Sequence, residues 1–349
     1  MARAKTEDII LQERVLLTDF PSVTAIALTR EILSSEPRAR VYLLTAPSDE
    51  ANAQAALKSF SEENQNRIEI LVGAAKHMDL GLSGHEYKSL QKEITSIHHL
   101  SPSAPWTRSK EIDIDATKQV FEFAADLERL RRVCHWSTVF VSGKREGVIQ
   151  ESELREGQSF NSAFEENMFR CEVLAESAKA KVPTTVFRPS IILPGTVPGP
   201  DNNETDKEVL AKTLRFFGAR ASRRSTPVSA VPLDYVVKSA YALSTEESAA
   251  GQTFHLVTRA PISIRMLQEI FDRIPNSGRR TKRPVELAKG LLKPGGRNAF
   301  YCDRGARETL SKNGIKCPEL PSYLAYLEEV VTDDQFASTD AHNVYAPKP

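Results

Sequence analysis

The segment Val15–Leu33, VLLTDFPSVTAIALTREIL, has the strand–loop–helix layout that in other proteins places a phosphate group against a helix. Its first residues, Val15–Thr18, predict a short strand, and after a turn the apolar spacing predicts a helix. Strand, tight loop and helix in this order form the first unit of a dinucleotide-binding fold, whose loop glycines let the backbone approach a pyrophosphate. The loop here, Asp19–Ala25, contains no glycine. The sequence therefore indicates the architecture of a phosphate site without the residues that such a site usually needs.

Three other groups of residues have types that could do chemistry. His98 and His99 are adjacent on a predicted strand, where successive side chains face opposite ways, so we expect structural histidines and no metal site. Ser137 follows His135 by two positions, but no G-x-S-x-G turn surrounds it, which disfavours a hydrolase. The cysteines lack the spacing of a disulfide framework and are expected to be reduced thiols; they are Cys134, Cys171, Cys302 and Cys317.

The composition is that of an ordinary globular chain. Of 349 residues, 40% are hydrophobic and 26% are charged, and 46 Lys and Arg balance 46 Asp and Glu for a net charge of +0. This balance provides no general attraction to nucleic acid or anionic lipid. No apolar stretch approaches the roughly 18 residues of a membrane span, and no apolar leader follows the first residues, so we expect a cytoplasmic protein.

The elements that must position these residues alternate between strand and helix. Apolar runs predict strands at Arg14–Leu17, Val41–Leu44, Ile68–Val72, Ser96–Leu100, Val133–Val141 and Thr184–Phe187. Helical spacing predicts helices at Thr24–Leu33, Asn52–Asn64, Gly84–Ile94, Ala116–Leu130 and Ala163–Lys181. This alternation predicts an α/β fold with a Rossmann-like, doubly wound parallel sheet.

The second part of the chain has a more mixed pattern. The Gly/Pro/Asn-rich stretch Pro194–Asn203 predicts a loop, and a further strand is predicted at Gln252–Val257. We expect a first domain at 1–200, whose residues after 186 contribute to the second lobe, a smaller C-terminal α/β lobe at 201–336, and a flexible tail at 337–349. The locally basic segment Gly278–Arg297 is interpreted as a solvated surface.

Further motifs follow one another along the chain: DLGLSGHEY (Asp79–Tyr87), HWSTVFVSG (His135–Gly143), VFRPSIILPG (Val186–Gly195), VPLDYVVKSAYAL (Val231–Leu243) and GQTFHLVTRAPISIRMLQEIF (Gly251–Phe271). Together they resemble the extended short-chain dehydrogenase/reductases, in particular the branch of thioester reductases and fatty acyl-CoA reductases. The resemblance covers Val15 to about Phe336. It implies an NAD(P)-binding domain, a C-terminal substrate-binding lobe and NADP as the family cofactor.

The positions at which that family holds its cofactor carry other residues in this chain. The family's loop, G-A-T-G-F-L-G, falls on residues 19–25, so its glycines are replaced by Asp19, Ser22 and Ala25. Thr45 stands where an NADP-dependent relative carries a basic residue, and Ala74 stands where an acidic residue contacts the adenine. The resemblance therefore predicts that the cofactor site is degenerate.

The residue types of the loop Asp19–Ala25 also predict the loss of cofactor binding. A helix N-terminus attracts phosphate through its free N–H groups and its dipole. We expect the Asp19 carboxylate to occupy those groups as a cap and to repel a pyrophosphate, while Pro21 removes one N–H. We therefore expect no bound cofactor.

The family's catalytic group, a Ser or Thr with Tyr-x-x-x-Lys, is also changed. Phe164 stands at the Tyr position and Met168 at the Lys position, and neither can transfer a proton. Thr138 matches the hydroxyl that polarises the substrate, and Asp113 replaces an Asn that supports a proton-relay water in the family. The resemblance therefore predicts that no catalytic set is intact.

Two other interpretations of Phe164 and Met168 exist. Phe164 and Met168, four residues apart, could be ordinary core residues on one helix face. The motif could also be misaligned, but Tyr87 and Tyr235 are the nearest alternatives and neither has a Lys four residues later. The first interpretation agrees with a lost active site, because an unused pocket is expected to fill with apolar side chains.

Three functions remain open at this point. The favoured one is a catalytically inactive reductase-like protein that acts as a binding, scaffolding or regulatory partner. It would form a homodimer, or a heterodimer with an active reductase paralogue, or hold an acyl or carrier-protein ligand. The alternatives are an NAD(P)H-dependent thioester or acyl reductase with an unconventional active site, and a dinucleotide sensor without catalysis. Dinucleotide titration and turnover discriminate among them.

Overall fold

The computed structural model describes residues 12–100, 114–193, 227–259, 261–263 and 299–319. Its main sheet contains seven parallel strands in the order β11-β7-β5-β4-β1-β2-β3. These strands are β1 Arg14–Leu17, β2 Arg40–Thr45, β3 Ile68–Val72, β4 Ser96–Leu100, β5 Arg132–Trp136, β7 Thr184–Pro189 and β11 Thr253–Leu256. The prediction of a Rossmann-like parallel sheet is confirmed.

Helices cover both faces of this sheet. They are α1 Val23–Ser35, α2 Glu50–Leu57, α3 Glu62–Gln65, α4 Gly84–Glu93, α5 Ile114–Ala125, α6 Ala163–Ala178, α7 Leu233–Thr245 and α8 Arg304–Lys312. Side chains of a strand alternate between faces, so Leu17 packs in the core with α1 and α7, whereas Leu16 packs in the core with α4 and α5. Strands buried on both sides are typical of parallel sheets, which explains the continuous apolar runs in the sequence.

Within the described residues, three two-stranded sheets accompany the main one. They are formed by β6 Gly147–Ile149 with β13 Ala299–Tyr301, β8 Ile191–Leu193 with β10 Ala230–Pro232, and β9 Pro227–Val228 with β12 Ile262–Ser263. The first two join a segment before residue 194 to a segment after residue 226, whereas the third joins two segments that both follow residue 226. In the part of the chain that the structure describes, no helix is long and apolar enough to cross a bilayer.

The main sheet extends further along the chain than the expected range, Arg14 to Phe187. Its edge strand β11 comes from beyond residue 200 and pairs with β7, with Phe254 opposite Phe187. Helix α7 likewise returns to pack against α1. The sequence did not reveal this return because an apolar strand shows in its pattern that it is buried, but not against which strand it is buried. The bounds expected for the domains stay a prediction, and the tail 337–349 lies outside the described residues.

Two predicted elements have different bounds in the structure. Strand β5 ends at Trp136 instead of continuing to Val141, because Thr138 caps a 3₁₀ turn at Val139–Ser142. The helix predicted at Asn52–Asn64 is two helices, α2 and α3, because the Ser61 hydroxyl accepts the N–H of Asn64 and begins a new helix.

Smaller differences occur at helix ends. Helix α5 ends at Ala125 and α6 at Ala178, before the predicted ends at Leu130 and Lys181. Apolar residues of the loops after these helices, such as Leu130 and Val182, pack against the core and continue the apolar pattern past the helix. A pattern of burial alone therefore overestimated the helix length.

Candidate functional site

A crevice opens where β1, β2, β3 and β4 end at their carboxyl ends. Its volume is about 220 Å³. It lies where the strand order reverses, because β1 has β2 on one side and β4 on the other, and open α/β sheets bind ligands at such a point. The crevice is lined by Thr18, Asp19, Phe20, Leu44, Ala46, Asp49, Gly73, Ala74, Ala75, Lys76, His99, Leu100 and Ala116.

The turn after β1 has the backbone conformation that a glycine usually provides. Asp19 has φ of 63°, in the left-handed region, and its carbonyl accepts the N–H of Ser22 at 2.9 Å. Asp is one of the few non-glycine residues that adopt this region at modest cost. The turn is therefore retained although the glycine is not.

The N-terminus of α1 is capped by Ser22. Its hydroxyl accepts the N–H of Ala25 at 3.2 Å, and its carbonyl accepts the N–H of Ile26 at 2.9 Å. Sequence reasoning assigned the cap to Asp19, whereas the N-cap residue is Ser22. Ala25 is fully buried in the core beneath the helix, so a larger residue there would disturb packing.

The ends of β2 and β3 are closed by hydrogen bonds within the protein. The Thr45 hydroxyl points inward and donates to the carbonyl of Phe20 at 2.6 Å. The Ala74 N–H donates to the carbonyl of Leu80 at 2.8 Å. A Cβ atom on Gly73 would lie 2.5 Å from that same carbonyl oxygen, so only glycine fits this part of the crevice.

His99 lines the crevice and is held by two threonines. The Thr18 hydroxyl donates to the carbonyl of Leu100 at 3.1 Å, so it has no proton left for His99 and accepts from its Nδ1 at 3.1 Å. The Nε2 of His99 then accepts from the Thr117 hydroxyl at 3.1 Å. Burial lowers the pKa of His99 to about 3, which agrees with a neutral ring.

Thr18 and Thr117 were not singled out from the sequence as site residues. Thr117 lies 18 positions after His99, and a contact across that distance leaves no local signal. His98, as predicted, lies on the opposite face, where its Nδ1 accepts from the Trp136 indole N–H at 3.2 Å. The two adjacent histidines therefore connect different layers of the fold.

An apolar cluster surrounds the positions of the expected catalytic pair. Met168 is only 1% exposed and belongs to a cluster with Val141, Leu154 and Cys171, against which the half-buried Phe164 packs. Both residues lie on α6, one helical turn apart. Asp113 lies outside the described residues.

The chain matches, over residues 24–240, the model of an NAD-binding family described as male sterility protein. The chain belongs to this family. No curated protein matches it.

Solved structures with a similar fold include reductases and an epimerase. The terminal R domain from the myxalamid PKS-NRPS biosynthetic pathway is 21% identical, with a TM-score of 0.72 over 91% of this chain and 90% of that one. UDP-glucuronic acid 4-epimerase from Bacillus cereus in complex with NAD is 15% identical, with a TM-score of 0.66 over 94% and 99%. Yeast methylglyoxal/isovaleraldehyde reductase complexed with NADPH is 14% identical, with a TM-score of 0.65 over 93% and 99%. The resemblance to extended short-chain dehydrogenase/reductases is confirmed.

The expectation that no cofactor is bound is contradicted by these matches. The family is one of NAD-binding proteins, and two of the similar structures hold NAD and NADPH. The expectation relied on the missing glycines, on a cap by the Asp19 carboxylate and on the N–H missing at Pro21, whereas Asp19 keeps the left-handed conformation of the turn and Ser22 is the helix cap. Such a dinucleotide supplies a hydride in the reductases of this family.

The residues of the crevice fit part of a dinucleotide. A volume of about 220 Å³ is below the roughly 300–1,000 Å³ of pockets that enclose a whole drug-sized ligand, and suits one nucleoside-sized group. The loop at Asp19 and the lining residues Ala46 and Ala74, whose side chains are small, are the groups that would hold it.

Thr138, the remaining family hydroxyl, is engaged by the backbone. It is 8% exposed, donates to the carbonyl of Pro189 at 3.4 Å and accepts the N–H of Phe140 at 3.4 Å. These long contacts hold the 3₁₀ turn after β5, so in this structure the hydroxyl has a structural role.

The neighbouring Ser137 belongs to a buried ionic network and not to a hydrolase site. Its hydroxyl donates to the Glu172 carboxylate at 2.5 Å, which also accepts from the Arg188 Nε at 2.9 Å. Glu172 and Arg188 are each 2% exposed in their side chains. His255 continues the network, because its Nε2 lies 3.2 Å from the Arg188 guanidinium. Sequence reasoning missed this network because its members lie on different elements.

Proposed function

We propose that this chain is a dinucleotide-binding member of its family that does not catalyse reduction and acts as a binding or regulatory protein. The observation that carries the proposal is the apolar cluster at Phe164 and Met168, where the resemblance places a proton donor and the lysine that activates it. The crevice at the ends of β1 to β4 supports the binding half of the proposal.

Chemistry argues against turnover at these positions. Reduction of a carbonyl or thioester places negative charge on an oxygen, and a positioned acid must supply a proton there. A phenyl ring and a thioether have no proton to give. The Thr138 hydroxyl, which caps a turn, is a weak acid and has no base or cation among its hydrogen-bond partners.

We further propose that the protein acts through a partner in the cytoplasm. The partner is a second copy of the chain, an active reductase, or an acyl group on a carrier protein. The R domain of a PKS-NRPS pathway, to which the chain is similar in fold, supports the acyl candidate. The packing of α5 against α6, whose outer faces are exposed and charged, supports the protein candidates.

Titration and turnover test the proposal together. We expect NADH or NADPH to bind, as measured by calorimetry, and no oxidation of either by the purified protein with acyl thioesters. Ala74→Phe fills the crevice and should abolish binding, whereas Ala55→Phe on the exposed face of α2 should leave it unchanged. Binding that survives Ala74→Phe would exclude this crevice, and turnover by the unaltered protein would establish the alternative, a reductase with an unconventional site.

A further inference from the structure

We infer that the crevice selects NAD(H) over NADP(H) and that Asp49 is the residue that determines this selectivity. The inference rests on the proposed dinucleotide binding and adds the class of dinucleotide. The two cofactors differ by one phosphate on the 2′-hydroxyl of the adenosine ribose. An acidic residue after the second strand suits the free hydroxyl, whereas a cation there suits the phosphate.

The segment after β2 has a carboxylate in the crevice and no cation. Asp49, half-buried, lines the crevice together with Ala46. A 3₁₀ turn at Pro47–Asp49 leads directly into α2 and places Asp49 at the start of that helix. Residues 45–57 contain no Lys or Arg.

Thr45 cannot replace the missing cation. It is 1% exposed, and its hydroxyl donates at 2.6 Å to the carbonyl of Phe20 in the loop after β1. This hydrogen bond turns the side chain toward the protein, and the crevice is lined by the residues on either side of Thr45, Leu44 and Ala46. Thr45, at the position of the basic residue in NADP-dependent relatives, therefore stabilises the loop after β1 and does not line the crevice.

Among the described residues of the lining, the other charged ones are Asp19 and Lys76. Lys76 is exposed and comes from the loop after β3, so this described lining provides one cation against two carboxylates. A 2′-phosphate adds two further negative charges to this environment, and like charges brought together in a site oppose binding strongly. The 2′-hydroxyl of NAD(H) adds none and can donate to a carboxylate.

Binding of paired nucleotides isolates the 2′-phosphate. NADH and NADPH, and separately adenosine 5′-monophosphate and adenosine 2′,5′-bisphosphate, are titrated into the full-length protein by calorimetry. We expect the nucleotide without the 2′-phosphate to bind at least about tenfold more tightly in each pair. This readout requires no catalytic activity.

Substitutions then assign the effect to Asp49. Asp49→Asn should bring the two affinities of each pair within about threefold, and Ala46→Arg should reverse the preference. Glu50→Gln, at the exposed neighbouring position outside the lining, is the matched control and should change neither affinity. Circular dichroism melts establish that each variant is folded.

Each outcome decides between the two proposals. Equal or tighter binding of NADPH by the unaltered protein overturns the selectivity but leaves the dinucleotide-binding function intact. An unchanged preference in Asp49→Asn overturns the assignment to that residue. Absence of binding by all four nucleotides overturns both proposals.

Discussion

At the residue scale, the residues that stand in place of the family's functional residues have structural roles in this protein. Met168 is a core residue of an apolar cluster, Ser22 is a helix cap, and Thr45 ties a loop to a strand. Each of these side chains makes its contacts within the protein. A single reversion is therefore expected to disturb local packing before it restores chemistry.

The first prediction concerns that packing. Met168→Lys, alone or with Phe164→Tyr, should lower the free energy of unfolding by about 1–3 kcal/mol, because an ammonium without a partner enters an apolar cluster. Urea denaturation measures the change. Arg170→Lys, exposed on the same helix, is the control and should stay within about 0.5 kcal/mol. An unchanged midpoint for Met168→Lys would mean that a polar partner reaches this position.

The buried ion pair provides a second prediction. Glu172→Gln should destabilise the protein by about 3–5 kcal/mol, because it leaves the buried Arg188 guanidinium without a counter-charge. Glu166→Gln breaks an exposed pair with Arg170 on the same helix and should cost about 0–1 kcal/mol. Similar decreases in the free energy of unfolding for the two variants, measured by chemical denaturation, would contradict the importance assigned to burial of the ion pair.

At the scale of elements, short segments far apart in the chain are joined by specific hydrogen bonds. The Glu151 carboxylate accepts the N–H groups of Gly305 at 2.7 Å and Ala306 at 3.1 Å, at the start of α8, and that of His255 in β11 at 3.0 Å. Burial raises the pKa of this carboxyl, while the three N–H groups act in the opposite direction. One side chain thus connects the main sheet to a helix from the last described segment.

The proposed association with a partner chain is tested on two helices, α5 and α6. If α5 and α6 form the interface, Lys118→Glu together with Arg170→Glu should convert a dimer or a heterodimer to monomers, because both residues are exposed on the outer faces of these helices. Sedimentation velocity measures the change. Lys58→Glu, exposed at the end of α2, is the control. An unshifted sedimentation coefficient for the double variant would place the interface elsewhere.

At the scale of the whole molecule, buried neutral histidines connect stability to pH. Burial lowers the pKa to about 3 at four of them, namely His98, His99, His135 and His255. In the unfolded chain each titrates near 6.5, so between about pH 6.5 and 3 the unfolded state binds more protons than the folded one. Stability is therefore greatest above pH 6.5 and decreases as the pH falls through this window.

His135 offers a direct test of that dependence. Neither ring nitrogen has a hydrogen-bond partner in the structure, so His135→Phe loses no polar contact. Between pH 7 and 5 the free energy of unfolding of the variant should decrease less steeply than that of the unaltered protein. The two slopes should differ by at most about 1.4 kcal/mol per pH unit, which corresponds to one proton. Urea titrations at several pH values measure this slope. His85→Gln, which alters an exposed histidine, should leave the slope unchanged, and an unchanged slope in His135→Phe would contradict the account.

The sequence by itself determined the strands and helices of the sheet and the family to which they belong. Apolar runs and helical spacing are local properties, and burial in a parallel sheet imposes them directly, so β1 to β4 were predicted within about one residue. Residue types at Phe164 and Met168 also revealed, without coordinates, that no proton donor stands at those positions.

Only the tertiary structure decided how the candidate site is built. Asp19 adopts a conformation that its residue type merely permits. The partner of Thr45 lies 25 positions away, and the two partners of His99 lie 81 and 18 positions away. The residue types in the loop after β1 did not reveal that Asp19 keeps the turn and that Ser22 is the helix cap, and the expectation of no cofactor rested on those residue types. Backbone dihedrals and hydrogen-bond partners depend on packing between distant segments, which a local pattern does not encode.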